Sequence, residues 1–238
     1  MLFKKKVLPW LMAIIWLACT LITTTSAFAQ QSPTTSTEKL LKQVEIIVFS
    51  KVRATALLSE QWDMPTKMPD VNHAIELVPF DETNNGNSLP KLLPSTDWKL
   101  NRISNRLSKS GYAIILHDAW VQDFSTEFNY PIHLFTPQQE SSILTTAMNG
   151  TITITLNRYF NVAINLLFGE PVDNLTSTIS NDALEKNFHN IANGVAYFDL
   201  TQNRRMKSDE LNYIDHPLYG VLIKITPFQN TDSRISNP

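Results

Sequence analysis

The residues able to do chemistry fall into three small groups. Five histidines (His73, His117, His133, His189 and His216) are scattered along the chain. His117-Asp118 and Asp215-His216 are the two His–acid neighbours. Adjacent residues on a strand point to opposite faces, which argues against either pair holding a metal together. A serine triad built on Asp215 and His216 would need a distant serine, and no GxSxG elbow is present; HExxH, GxxxxGK[ST] and GxGxxG are also absent. Asp215-His216-Pro217 fits a tight turn better, since Asp bonds forward to the backbone and Pro fixes φ.

The second group is aromatic. Past residue 30 the tryptophans are Trp62, Trp98 and Trp120. Flat aromatic faces stack on sugar rings, and Asn, Gln, Arg and Asp supply the hydrogen bonds. His117, Trp120 and Gln122 meet in one short stretch; core packing is the leading reading of Trp120, as for most tryptophans, and a sugar-stacking platform is the functional alternative that makes it a candidate. Trp98 is expected to anchor a helix start. The third group is Arg204-Arg205-Met206-Lys207, a cluster that could hold carboxylates of a peptide or of an acidic partner. Its rival is self-pairing with Asp209 and Glu210. Arg158 and Tyr213 complete the candidate ligand-binding set; no catalytic residue, metal ligand or cofactor site is assigned.

These side chains need a scaffold. With 43% hydrophobic and 18% charged residues the chain has a globular balance. A formal net charge of −2 argues against a nucleic-acid binder. One cysteine excludes a disulfide framework. Lys4, Lys5 and Lys6, the apolar run Val7–Ile22 and Ala27-Phe28-Ala29 read as a signal peptide cleaved after Ala29. The run is too short for a spanning helix, so no stable membrane span is expected after cleavage. Leu17-Ala18-Cys19 resembles the end of a lipobox, but Trp16 stands where an aliphatic residue is usual. Cleavage would remove three lysines and no acid, taking the net charge from −2 to −5, and would leave no cysteine.

Residues 30–40 read as a flexible tether, 41–228 as a single domain with a long loop at 59–96, and 229–238 as a polar tail. Val44–Phe49 (VEIIVF) is apolar on both faces and predicts a strand buried on both sides. A short strand is read at 74–78. Leu100, Ile103 and Leu107 mark one face of a helix over about 96–110, capped by Ser95, Thr96 or Asp97 and ended by Gly111. A strand follows from Tyr112. A second helix is read over about 181–193. Strands are also read at 195–200, 211–214 and 221–225. In residues 151–168 every even position except Arg158 is apolar, and Thr151, Thr153, Thr155, Asn157, Tyr159, Asn161 and Asn165 lie on odd ones. A two-residue hairpin at 157–158 would flip that parity, so one long bent strand, or two joined by a bulge, is predicted. The fold class is α+β with a mainly antiparallel sheet.

The segment RRMKSDELNYIDHPLYGVLIKITP (Arg204–Pro227), with VEIIVF (Val44–Phe49), LHDAWVQ (Leu116–Gln122), and Gly150–Thr153 with Arg158-Tyr159, resembles the CsiV family of Gram-negative periplasmic proteins, described as peptidoglycan-binding. Asn161 and Asn212 depart from the family pattern, which often has histidine there. The resemblance implies a non-catalytic periplasmic protein that binds peptidoglycan and supports cell-wall synthesis and cell shape. The partners it implies are a class A penicillin-binding protein and its outer-membrane lipoprotein activator. The alternative is a protein–protein adaptor without glycan binding, docking by a sheet edge or the 59–96 loop; a third reading is a wall hydrolase. Convergence of Trp120, Arg158 and Arg205 in a cleft would favour the wall binder, a flat apolar patch the adaptor.

Overall fold

The computed structural model describes residues 39–80, 89–125, 129–136 and 146–228, all within the unit Glu38–Pro238. The expected signal peptide, the tether up to residue 38, the tail at 229–238 and the centre of the 59–96 loop lie outside the described residues. Two sheets make the framework. Their strands are β1 (Leu41–Ser50), β2 (Val78–Pro79), β3 (Lys91–Leu92), β4 (Ala113–Asp123), β5 (Ile132–Phe135), β6 (Ala147–Leu156), β7 (Phe160–Pro171), β8 (Ile191–Ala192), β9 (Val195–Met206), β10 (Leu211–Asp215) and β11 (Tyr219–Pro227). The first sheet runs β10-β11-β1-β4-β3-β2 and the second β5-β6-β7-β9-β8. Every pairing within them is antiparallel except β2 with β3. The α+β, antiparallel expectation holds.

The layering follows from period-2 patterning. Val44, Ile46 and Val48 of β1 face Ile152, Ile154, Val162, Ile164, Leu166 and Phe168 of the second sheet across one shared core. Ile47 and Phe49 point the other way, onto Leu100, Ile103 and Leu107. Those last three line the inner face of helix α2 (Asn101–Lys109), which follows α1 (Ala54–Leu57). So β1 is buried on both sides, as its sequence requires. A 3₁₀ turn at Ser95–Asp97 precedes α2, and Gly111 ends it at φ +86°. The second predicted helix is shorter than expected. Helix α4 (Asn181–Asn187) follows α3 (Val172–Thr176), and Ser180 caps α4 by accepting from the Ala183 N–H. β8 occupies part of the range expected to be helical.

The expectation of one long bent strand over 151–168, or of two strands joined by a bulge, is overturned. β6 and β7 form a hairpin in which Leu156 pairs with Phe160. Its loop has three residues, Asn157, Arg158 and Tyr159, closed by the Asn157 N–H on the Tyr159 carbonyl (3.1 Å). A three-residue loop keeps the parity of both strands, so unbroken alternation and a reversal of direction coexist. The predicted strand at 74–78 reduces to a bridge of Ile75 to Ile132 and the two-residue β2. Trp62, buried and bonded by its indole N–H to the Leu57 carbonyl (3.0 Å), likewise ties the start of the 59–96 segment down.

Candidate functional site

β4 carries three of the candidate residues, and none presents a surface for a ligand. Trp120 is fully buried between the sheets, its indole N–H donating to Gln122 Oε1 (3.3 Å). Gln122 is itself buried at 1% exposure, and its amide nitrogen has no partner among the described residues. The stacking-platform alternative for Trp120 is therefore ruled out, and the core-packing reading stands. Beyond the register shift at Val48/Phe49, Leu116 and Trp120 face the second sheet, and a large aromatic there fills the core.

His117 faces the α2 side. Its Nε2 lies 2.9 Å from Glu45 Oε1, and its ring centroid is 4.3 Å from that of Trp98. Glu45, 2% exposed, also accepts the backbone N–H groups of Lys99 and Leu100 at 2.7 Å each. These are donors that open α2. The expected caps Ser95, Thr96 and Asp97 do not cap α2; a carboxylate from β1 does. It satisfies the N–H of the N-cap residue Leu100 and that of Lys99 just before it, and sits at the positive end of the helix dipole. Trp98, as expected, anchors this helix start: it packs with Leu93, Ala119 and Val121 and donates to the Leu93 carbonyl (3.1 Å).

Tyr213 occupies another corner. Its ring stacks on Phe49 (6.4 Å), and its hydroxyl donates to Asp215 (2.5 Å) and accepts from Lys51 (3.1 Å). Lys51 also pairs with Asp215. The hydrogen bonds from Lys51 and Tyr213 hold the Asp215 carboxyl below its usual range. His216 turns into the hairpin, with its Nδ1 accepting the Leu218 N–H (3.2 Å). Burial pushes its pKa down to about 4, aided by the Lys51 charge and opposed by Asp215. The turn is structural.

Arg158 and Arg205 do converge. Arg158 stands in the β6–β7 loop and Arg205 on β9, and their guanidinium carbons lie 5.6 and 5.5 Å from the centre of the Tyr159 ring. Both arginines are exposed, as is Arg204. Lys207 pairs with Glu210 (3.4 Å), whereas Arg158, Arg204 and Arg205 have no ion-pair partner among the described residues. A depression of about 290 Å³ beside Tyr159 is bounded by Lys42, Arg158, Phe160 and Lys207. Tyr213 does not join it, because Lys51, its partner, lies nine residues of chain from Lys42, roughly 30 Å of extended strand.

A second depression of about 290 Å³ lies on the outer face of the second sheet. The register places polar side chains there in rows across the strands: His133, Thr151, Asn165 and Thr201; then Thr153, Ala163 and Asn203; then Thr155, Asn161 and Arg205. Ala163 is the small member of the middle row, so the floor dips between Thr153 and Asn203. Arg205 lines this depression and contacts Tyr159, which lines the first, so the polar face leads into the cationic corner. Sequence reasoning named Arg158 and Arg205 but not Tyr159 or the Thr/Asn rows. The odd-position Thr and Asn residues were the available signal.

Among the described residues, no group of three or more His, Cys, Asp or Glu side chains is placed to hold a metal. No described helix is long and apolar enough to cross a membrane. The model of the family described as "Peptidoglycan-binding protein, CsiV" matches residues 11–228. The chain belongs to the CsiV family. No curated protein and no solved structure matches it. Within the family pattern, Asn161 falls in the polar rows opposite Arg205, and Asn212 lies on β10 with its amide donating to the Glu210 carbonyl (3.1 Å).

Proposed function

We propose that this chain binds peptidoglycan, without catalysis, through the outer face of the five-stranded sheet. The observation that carries the reading is the set of cross-strand rows of Thr and Asn ending at Arg205. Hydroxyls and carboxamides on a sheet grid, about 4.8 Å apart between strands, offer donors and acceptors to a polar polymer lying across them. The family description supports the same ligand. On this reading residues 1–29 are a cleaved signal peptide, 30–40 a tether and 41–228 one periplasmic domain. The protein then supports wall synthesis and cell shape alongside a class A penicillin-binding protein and its lipoprotein activator.

The test is co-sedimentation of the 30–238 chain with isolated sacculi, with soluble muropeptide release followed in the same tube. Sedimentation without release is expected. It should fall in Thr153→Ala/Asn203→Ala and in Arg205→Gln, with unchanged circular dichroism. A wild type that stays in the supernatant overturns the reading. The adaptor alternative would then take over, because β10 is a sheet edge with Leu211 and Tyr213 exposed at 45% and 42%. Muropeptide release would make the protein a hydrolase.

A further inference from the structure

We propose that Arg158, Tyr159 and Arg205 form a carboxylate-reading corner that takes the free carboxylates of peptidoglycan stem peptides, so that the chain recognises the peptide as well as the glycan. This rests on the peptidoglycan reading above and names the chemical feature that the site selects.

The argument starts from the loop. The three-residue turn at 157–159 holds Arg158 and Tyr159 side by side at the tip of the β6–β7 hairpin. The β7–β9 register sets Arg205 opposite Asn161, two residues beyond Tyr159. Both guanidiniums therefore reach one ring, and their carbons can be no further apart than the sum of their distances to it. Contact with an aromatic ring orients a planar guanidinium and leaves its N–H edge free, the edge that binds a carboxylate through two parallel hydrogen bonds. That edge is uncommitted: neither arginine has an ion-pair partner among the described residues, although the whole chain carries more acid than base. Lys42 and Lys207 border the adjoining depression, so positive charge continues around the corner.

Glycan strands of peptidoglycan offer hydroxyls, ethers and acetamides, which the Thr and Asn rows suit. They offer no match for two unpaired guanidiniums. The stems do, since each ends in, and carries along its length, ionised carboxylates. A single exposed carboxylate–guanidinium contact is weak and salt-screened. A wall that presents stems repeatedly supplies the multivalency that makes such a contact count.

Three probes separate the outcomes: intact sacculi, sacculi whose carboxylates have been converted to amides with carbodiimide and ammonium, and glycan strands stripped of stems by an N-acetylmuramoyl-L-alanine amidase, with the lactyl carboxylates that this hydrolysis exposes amidated in the same way. The wild-type 30–238 chain should bind intact sacculi and lose about tenfold in bound fraction on the amidated ones. Arg158→Gln/Arg205→Gln should bind intact sacculi no better than the wild type binds amidated ones, and amidation should weaken it no further. Stripped strands should retain only the weaker, salt-insensitive part. Equal wild-type binding to intact and amidated sacculi would overturn the carboxylate corner and leave the peptidoglycan reading standing. Failure to bind intact sacculi would overturn both.

Discussion

The two sheets treat their polar residues in opposite ways. On the α2 side of the first sheet, Glu45 is buried, and its carboxylate is consumed by two backbone N–H groups and His117. On the outer side of the second sheet, Thr153, Thr155, Asn161 and Asn203 line an open depression. One face is sealed by a helix, and its polar groups are saturated from within, as burial demands. The other has no helix over it among the described residues, and its polar groups are left to solvent or to a ligand. Polarity alone does not mark a site. Polarity with unspent hydrogen-bonding capacity does, and by that measure the strongest polar cluster in the molecule, around Glu45, belongs to the scaffold.

Removing the Glu45 carboxylate tests the sealed side and should give the largest effect. Glu45→Ala strands two N–H donors and His117 in a buried site, and should cost roughly 3–5 kcal/mol. Urea denaturation followed by circular dichroism reads it as a lower midpoint at unchanged slope. Glu45→Gln, which keeps one carbonyl acceptor, should fall between. A loss under 1 kcal/mol for Glu45→Ala would mean that the helix start does not depend on the strand carboxylate.

His216 gives the next effect, as a pH dependence. Its folded pKa of about 4 lies below the ordinary 6.5, so between those values the unfolded chain binds a proton that the folded chain refuses. Stability from this group is complete above pH 6.5 and is lost as pH falls towards 4, by about 3 kcal/mol in all. Asp118 acts in the opposite sense, because burial raises its carboxyl above the usual value. The measurement is therefore the difference between the wild type and His216→Asn across pH 7 to 4. A constant difference would contradict the buried, neutral histidine.

Gly150 and Thr151 sharpen the contrast within one strand. A Cβ at Gly150 would lie 2.3 Å from the Asn165 carbonyl oxygen and 2.7 Å from the Leu166 Cα, both backbone atoms with little room to move. Gly150→Ala should cost about 1–3 kcal/mol. Thr151→Ala, one residue on and facing outward, should stay within about 0.5 kcal/mol.

Much of this framework is written in local periodicity. The doubly apolar Val44–Phe49 strand, the Leu100/Ile103/Leu107 stripe and Gly111 at the helix end all read correctly because each depends on neighbours within a few residues. The failures share one cause, partners distant in sequence. The helix cap comes from Glu45, fifty-five positions before Leu100. Trp120 lies in polar company along the chain yet is buried by the facing sheet. The parity of 151–168 read correctly and its topology did not, because alternation cannot distinguish a straight strand from a three-residue hairpin. Arg158 and Arg205 were legible as cations, but Tyr159, which brings them together, shows its role only once β7 pairs with β9.

The open face should show the smallest effect on stability and the clearest one on binding. Thr155, Asn161 and Asn203 lie on outward positions, and no described hydrogen bond ties the side chain of Thr155 or Asn203 to another residue. Single alanine substitutions at these positions should each shift stability by no more than about 0.5 kcal/mol. The same variants should sediment less with sacculi. Asn203→Ala should weaken binding more than Thr201→Ala, because Asn203 borders the Ala163 dip while the Thr201 hydroxyl already donates to Asn165 (3.0 Å). Filling the dip with Ala163→Leu adds apolar surface to a half-buried, outward-facing position and should leave the fold intact while blocking the wall. If Ala163→Leu bound sacculi as the wild type does, the outer face would be no more than the solvated side of a sandwich, and the distinction between saturated and unspent polarity would lose its functional meaning here.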